Sequence, residues 1–274
     1  MTRAFGKIIL AGEHAVVYGY PAIAMTIDLE VRIIARLSSR PGLNFARPKI
    51  DPEHKSASLF VEVLPKLIEL LGSRIKQLEF QIDSDIPGGC GLGSSAALSV
   101  GLIRAALDFF DESRSAQEIA RMALELEKIF HGNPSGVDHT VIAEEGLIWF
   151  ERGKAQKIIS QKPLNLSIKM ASPHAGTLAA VQAVRRRYEQ DKAGTTQIFE
   201  AISELTYSMR RAIEQGELPE VGRLMTQNHE LLNKLGVSTN ELDLLCADAL
   251  EQGALGAKLT GAGGGGCIIA LYEN

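Results

Sequence analysis

Leu78-Glu-Phe-Gln-Ile-Asp-Ser-Asp-Ile86, then Pro87-Gly88-Gly89-Cys90-Gly91-Leu92-Gly93-Ser94-Ser95, then Ala96-Ala97-Leu98 on through Leu107, is the stretch around which this chain is organised. Leu78, Phe80 and Ile82 alternate with Glu79, Gln81 and Asp83, the period of a half-buried β-strand. The apolar run after Ser95 predicts a helix. A glycine-dense turn between strand and helix leaves backbone N–H groups unpaired at a helix N-terminus, where their partial charges suit a phosphate. The loop from Pro87 to Ala96 is therefore the candidate phosphate cradle. It is not a P-loop, because Ser94 stands where the lysine after Gly88-x-x-x-x-Gly93 should be. It is not a dinucleotide fingerprint either, since Gly89, Gly91 and Gly93 recur at every second residue. Taken alone, the loop could also be a turn that lets strand and helix pack closely.

Composition narrows the partners. The chain has 274 residues, 45% hydrophobic and 23% charged, as in ordinary globular proteins, and a net charge of −4. That balance argues against a nucleic-acid or anionic-membrane surface, so an anionic ligand must be held by local geometry. No signal-peptide core is visible, and Arg104 interrupts the longest apolar stretch. Cys90, Cys246 and Cys267 are odd in number and lack metal-ligand spacing, which fits reduced thiols in the cytoplasm.

Outward from the loop, residues 6–12 (GKIILAG) predict a strand that starts at Lys7 and turns at Glu13-His14. Lys7 could be an ordinary solvated charge, and Glu13 and His14 ordinary turn residues. Residues 22–37 contain a second strand run, IDLEVRIIARL, residues 38–57 predict an irregular polar excursion, and residues 58–71 a helix. Ser115-x-x-Glu118 is a capping box for a helix that ends at Gly132. Glu127 falls on the shoulder of that helix's apolar face, either at its edge or held for a purpose. His131-Gly-Asn-Pro-Ser-Gly-Val-Asp138 then forms a rigid turn with Asp138 just beyond it, where an aspartate can also serve as a cap.

Composition shifts over residues 153–164, which places a boundary between domains 1–160 and 161–274. The second domain predicts a strand at 168–171 and a basic helix whose Arg185-Arg186-Arg187 face is solvated. Three helices follow, the last capped by Ser238-x-x-Glu241. Thr260-Gly261-Ala262-Gly263-Gly264-Gly265-Gly266 then lies between two apolar strands. So much glycine makes a weak turn, and predicts a flexible loop whose backbone approaches a ligand.

Three segments together, GKIILAGEHAVVYG, IPGGCGLGSSAAL and KLTGAGGGGC, resemble the GHMP kinase superfamily over essentially the whole chain. GEHAVVYG and HGNPSGVD look most like the mevalonate kinases within it. The resemblance implies a two-domain α+β GHMP kinase fold, with an N-terminal domain like domain 2 of ribosomal protein S5 and a ferredoxin-like C-terminal domain. It implies ATP and Mg2+ as cofactors, ATP lying in the cleft with its phosphates on Pro87, Gly88, Gly89, Cys90, Gly91, Leu92, Gly93, Ser94, Ser95 and Ala96. Asp138 matches the catalytic aspartate and Lys7 the lysine beside it. Ser95 and Glu127 match the magnesium ligands. Glu13, His14 and Thr177, with Gly261, Ala262 and Gly263, match positions that line the acceptor pocket. Where mevalonate kinases carry Ser-Thr-Lys, this chain has Gly176-Thr177-Leu178.

The expected activity is ATP-dependent phosphorylation of the 5-hydroxyl of mevalonate, with no nucleic-acid or membrane partner. A homodimer is left open. Three alternatives keep the fold: a kinase acting on phosphomevalonate, homoserine or a sugar, the related diphosphomevalonate decarboxylase, whose N-terminal motif looks unlike GEHAVVYG, and a family member that binds ligand without turnover.

Overall fold

The computed structural model describes residues 1–47, 55–132, 134–172 and 177–273, with backbone alone for 55–58, 177 and 178. Two compact units interleave along the chain. One comprises residues 1–7, 26–87 and 93–145, and the other residues 8–25, 88–92 and 146–274. Strands β1 (Thr2–Ala11) and β2 (Ala22–Leu37) each run from one unit into the other. Among the described residues no helix is long and apolar enough to cross a membrane.

In the first unit β2 pairs antiparallel with β4 (Leu78–Ser84), Ile33 opposite Ile82 and Ala35 opposite Phe80. The alternation read from the sequence holds, with Leu78, Phe80 and Ile82 buried. The excursion at 38–57 is not wholly irregular. Its residues Gly42–Arg47 form β3, parallel to β4, while residues 48–54 lie outside the described residues. Leu43 and Phe45 alternate there, but three prolines and a polar surround hide so short an edge strand. Packing holds β3 in place, for Phe45 meets Phe60 of α1 (Lys55–Leu71) at 5.0 Å. Phe60 in turn meets Phe130 of α3 (Ala116–His131) at 5.6 Å.

Helix α2 (Ser94–Phe109) is apolar around its whole circumference and buried along most of its length, as such a helix must be. Helix α3 opens with the expected capping box, Ser115 and Glu118 satisfying each other's backbone N–H. Glu127 is not at the edge of its face, being only 1% exposed. Helix α4 (Val137–Glu144) starts after Gly136, whose φ of 93° is left-handed.

In the second unit the first residues of β2 pair with β5 (Leu147–Glu151), and β5 with β6 (Lys154–Lys157). A separate antiparallel sheet has the order β7 (Asn165–Met170), β9 (Cys267–Tyr272), β8 (Gly256–Thr260). Its apolar core includes Phe199 and Ile202 of α6 (Lys192–Gln215), Leu232 of α7 (Leu218–Leu235) and Leu242 of α8 (Asn240–Glu251). Arg185 and Arg186 of α5 (Thr177–Gln190) are exposed, as their composition implied. The cap of α8 is Thr239 rather than Ser238. Thr239 accepts from Leu242 N–H, while Ser238 bonds Asp243 and Glu241 accepts from Ser172 N–H. Two adjacent hydroxyls could both cap, and the tertiary partners of Ser238 and Glu241 decide between them.

Helix α7 approaches β8 backbone to backbone. A Cβ on Gly256 would lie 1.8 Å from the Gly222 carbonyl oxygen, and one on Gly222 would lie 2.4 Å from Leu255. Neither neighbour can rotate away. Gly256→Ala should therefore cost about 3 kcal/mol, the upper end of overpacking, and lower Tm by roughly 6–12 °C. A variant melting within about 2 °C of the parent would contradict this packing.

Among the described residues His14, His139 and His229 are buried, and desolvation pushes two of them, His139 in one unit and His14 in the other, down to about 4. The nearby Asp138 charge opposes that shift at His139, and a bond to the Ala262 carbonyl opposes it at His14. Between pH 4 and about 6.5 the unfolded chain then binds more protons than the folded one, so stability falls as pH drops through that window. Each histidine should withdraw on the order of 1–3 kcal/mol by pH ~4.5. NMR should show both rings neutral down to pH ~5, whereas a ring titrating at its ordinary value would contradict its burial.

Candidate active site

Lys7 lies within β1 and is 2% exposed, not a solvated charge. Its Nζ meets Asp138 Oδ1 at 2.9 Å, Asp138 sitting in the first turn of α4. The end of the glycine loop is shaped around this lysine. A Cβ on Gly93 would lie 2.8 Å from Lys7 Cγ and 3.4 Å from Ile142 Cδ1, and Gly93 has a φ of 77°. Glycine is required there for both space and conformation.

Glu127 lies where α2 packs on α3. Ser95 Oγ donates to its Oε2 at 3.3 Å and Ser99 Oγ to its Oε1 at 3.2 Å. Burial, and secondarily the Asp138 charge, push its carboxyl up to about 8, against the serine bonds and the Lys7 charge. A cation bound beside such a carboxyl favours its charged form. His131 also belongs to this cluster, its Nε2 being 3.0 Å from Ser95 Oγ and 3.7 Å from Glu127 Oε2. Sequence reasoning missed Ser99 and His131. The available signal was spacing, for Ser95/Ser99 on α2 and Glu127/His131 on α3 are both i,i+4 pairs that share a helix face.

The structure brings Asp138, Lys7, Ser95 and Glu127 into one unit, while Glu13, His14 and Gly261 to Gly263 belong to the other. Glu13 is 1% exposed and both its carboxylate oxygens are engaged. Oε1 accepts from the buried Lys258 ammonium, and Oε2 from Asn228 Nδ2 at 3.0 Å. Lys258 also donates to the carbonyls of Ile9 and Leu259. Neither Lys258 nor Asn228 stood out from sequence, since Lys258 is a lone charge in an apolar run and Asn228 is one of several polar residues in TQNHE. The Glu13-His14 turn is strained, with His14 at a φ of 61°, and His14 Nε2 bonds the Ala262 carbonyl at 2.9 Å. The side chain of Thr177 lies outside the described residues.

The glycine-rich loop after β8 is pinned, contrary to the expected flexibility. Gly264 N–H donates to Val237 O at 2.8 Å and Gly266 N–H to Ser172 O at 2.9 Å. A Cβ on Gly263 would lie 2.1 Å from Val237 O. Its glycines thus serve close approach to protein backbone. Gly91 of the 87–96 loop makes a looser approach of the same kind, where a Cβ would lie 3.1 Å from Thr260 O and 3.5 Å from Gly261 Cα. Gly89 and Gly91 have φ values of 71° and 76°.

Among the described residues no three His, Cys, Asp or Glu side chains gather to hold a metal ion. A hydroxyl and a carboxylate do converge at Ser95 and Glu127, the hard oxygen donors that magnesium takes alongside phosphate and water. The donor set fits that ion.

Residues 58–146 match the family profile described as GHMP kinases N terminal domain, and residues 209–274 the profile GHMP kinases C terminal. A mevalonate kinase of Pyrococcus abyssi is 36% identical over 295 residues, covering 99% of this chain and 88% of that one. Among solved structures, L. major mevalonate kinase in complex with R-mevalonate superposes with a TM-score of 0.88 at 27% identity, covering 100% of this chain and 87% of that one. The Methanococcus jannaschii mevalonate kinase superposes at 0.84 with 32% identity, covering 99% and 90%. The chain belongs to the GHMP kinase family, among its mevalonate kinases.

Proposed function

We propose that this protein transfers the γ-phosphoryl group of ATP to the 5-hydroxyl of mevalonate, with Lys7 and Asp138 as its catalytic pair. The observation that carries this reading is the 2.9 Å contact between a buried ammonium and a carboxylate that keeps 35% exposure. A lysine left at 2% exposure needs a charged partner, and a partner that remains accessible can still meet a substrate hydroxyl. Phosphoryl transfer asks for in-line positioning and neutralised charge rather than covalent help. Asp138 orients the hydroxyl and accepts its proton. Lys7 stabilises the developing alkoxide.

The loop from Pro87 to Ala96 holds the phosphates through backbone N–H groups, three of its glycines taking the left-handed φ that such a turn requires. Ser95 and Glu127 hold Mg2+, which when bound neutralises phosphate charge. His14 and Thr177, with the backbone of Gly261, Ala262 and Gly263, serve the carboxylate end of the acceptor. His14 acts there as a neutral imidazole, because burial keeps it far below its ordinary value. Glu13 fixes the turn that presents His14. With both its oxygens taken by Lys258 and Asn228, it offers no free anion for an ammonium group. That favours mevalonate over homoserine.

The test is an acceptor panel of mevalonate, phosphomevalonate, homoserine and galactose, read by ADP release. Mevalonate should give the highest kcat/KM, and homoserine should be poorer by at least about a hundredfold, as expected where a charged group meets no partner. Preference for any other acceptor would overturn the substrate assignment. Acceptor-independent binding of ATP without turnover would overturn the kinase assignment.

A further inference from the structure

Three donor atoms meet where α2 packs on α3, and their spacings form a triangle. Ser95 Oγ is 3.3 Å from Glu127 Oε2 and 3.0 Å from His131 Nε2, and the last two atoms are 3.7 Å apart. Neighbouring ligands of an octahedral ion with bonds of about 2.1 Å stand roughly 3.0 Å from one another. A circle through atoms at the observed spacings has a radius of about 2 Å, so a point about 2.1 Å from all three exists without moving any of them. His131 is the last residue of α3 and keeps 28% exposure, so its ring could have turned to solvent or to the helix's final carbonyls. Instead its nitrogen lies against the hydroxyl of Ser95.

We propose that His131 is a third protein ligand of the bound metal, through Nε2. Ser95, Glu127 and His131 would then hold the ion from the protein side, with phosphate oxygens and water completing its shell. This rests on the assignment of Ser95 and Glu127 to the metal. Ligation requires Nε2 to be unprotonated, which places the ring proton on Nδ1. An imidazole donor also shifts metal preference. Magnesium favours an all-oxygen shell, whereas Mn2+ and Co2+ gain from nitrogen. His131 thus makes the site select Mn2+ and Co2+ over Mg2+, beyond what a hydroxyl and a carboxylate would do.

Pulsed EPR on the complex with Mn2+ and ADP tests this without turnover, using chain labelled with 15N-histidine. A 15N coupling of directly bound strength should appear in the parent. It should vanish in His131→Gln, with Mn2+ affinity reduced by at least about tenfold, the lower end of what even outer-sphere partners contribute. Mg2+ affinity should change by less than Mn2+ affinity. Circular dichroism would confirm that this partly exposed helix-end variant is folded. Absence of histidine coupling in the parent, or its persistence in His131→Gln, overturns the proposal. If Glu127→Gln then still loses Mn2+, the two-residue assignment survives alone. Unchanged affinity and spectrum in Glu127→Gln and Ser95→Ala overturn both.

Discussion

The ammonium of Lys7, nearly sealed from water against the carboxylate of Asp138, constrains everything around it. A buried cation is costly unless paired, and removing one partner of such a pair commonly destabilises by about 3–5 kcal/mol. Strand β1 supplies the lysine and the first turn of α4 supplies the aspartate. Gly93 has no side chain because the lysine's own methylenes occupy that space. The glycine loop is therefore shaped at its end by the buried side chain of Lys7. The field of this pair extends further, since Asp138 raises the Glu127 carboxyl while Lys7 lowers it.

A second constraint is backbone approach. Gly222 lies against Gly256, Gly263 against Val237, and Gly91 against Thr260 and Gly261, each at a separation that a Cβ would violate. These contacts, with the buried Glu13–Lys258–Asn228 cluster, fix the segment that carries His14 and the loop after β8. Fixed polar groups avoid reorganisation during the chemical step. The glycines let backbone approach this closely, at a cost in ordering entropy.

Much of this was legible in the sequence. Period-two alternation located β4, the Ser115–Glu118 box located α3, and the three glycine- and charge-bearing segments pointed to the family. What stayed hidden depends on partners distant in sequence. Burial of Lys7 and Glu127 could not follow from local pattern, because a charged residue reads as solvated until its partner is known. Asn228 and Lys258 each lie more than 200 residues from Glu13, and no local period links them to it. The loop after β8 read as flexible because glycine is permissive, whereas its rigidity comes from hydrogen bonds to Val237 and Ser172. Strand β3 was missed because aromatic packing on α1, rather than its own short pattern, holds it.

The central claim is that Lys7 and Asp138 act as one catalytic unit, and a double-mutant cycle in kcat tests it most directly. Lys7→Met, Asp138→Asn and the double variant would be compared at saturating ATP and mevalonate, after circular dichroism confirms that each is folded. Each single change should lower kcat by about 10²–10⁴-fold. The double variant should then be no more than a few-fold slower than the worse single one, because groups acting together are not additive. Losses that multiply, or an Asp138→Asn variant turning over near the parent rate, would contradict the account.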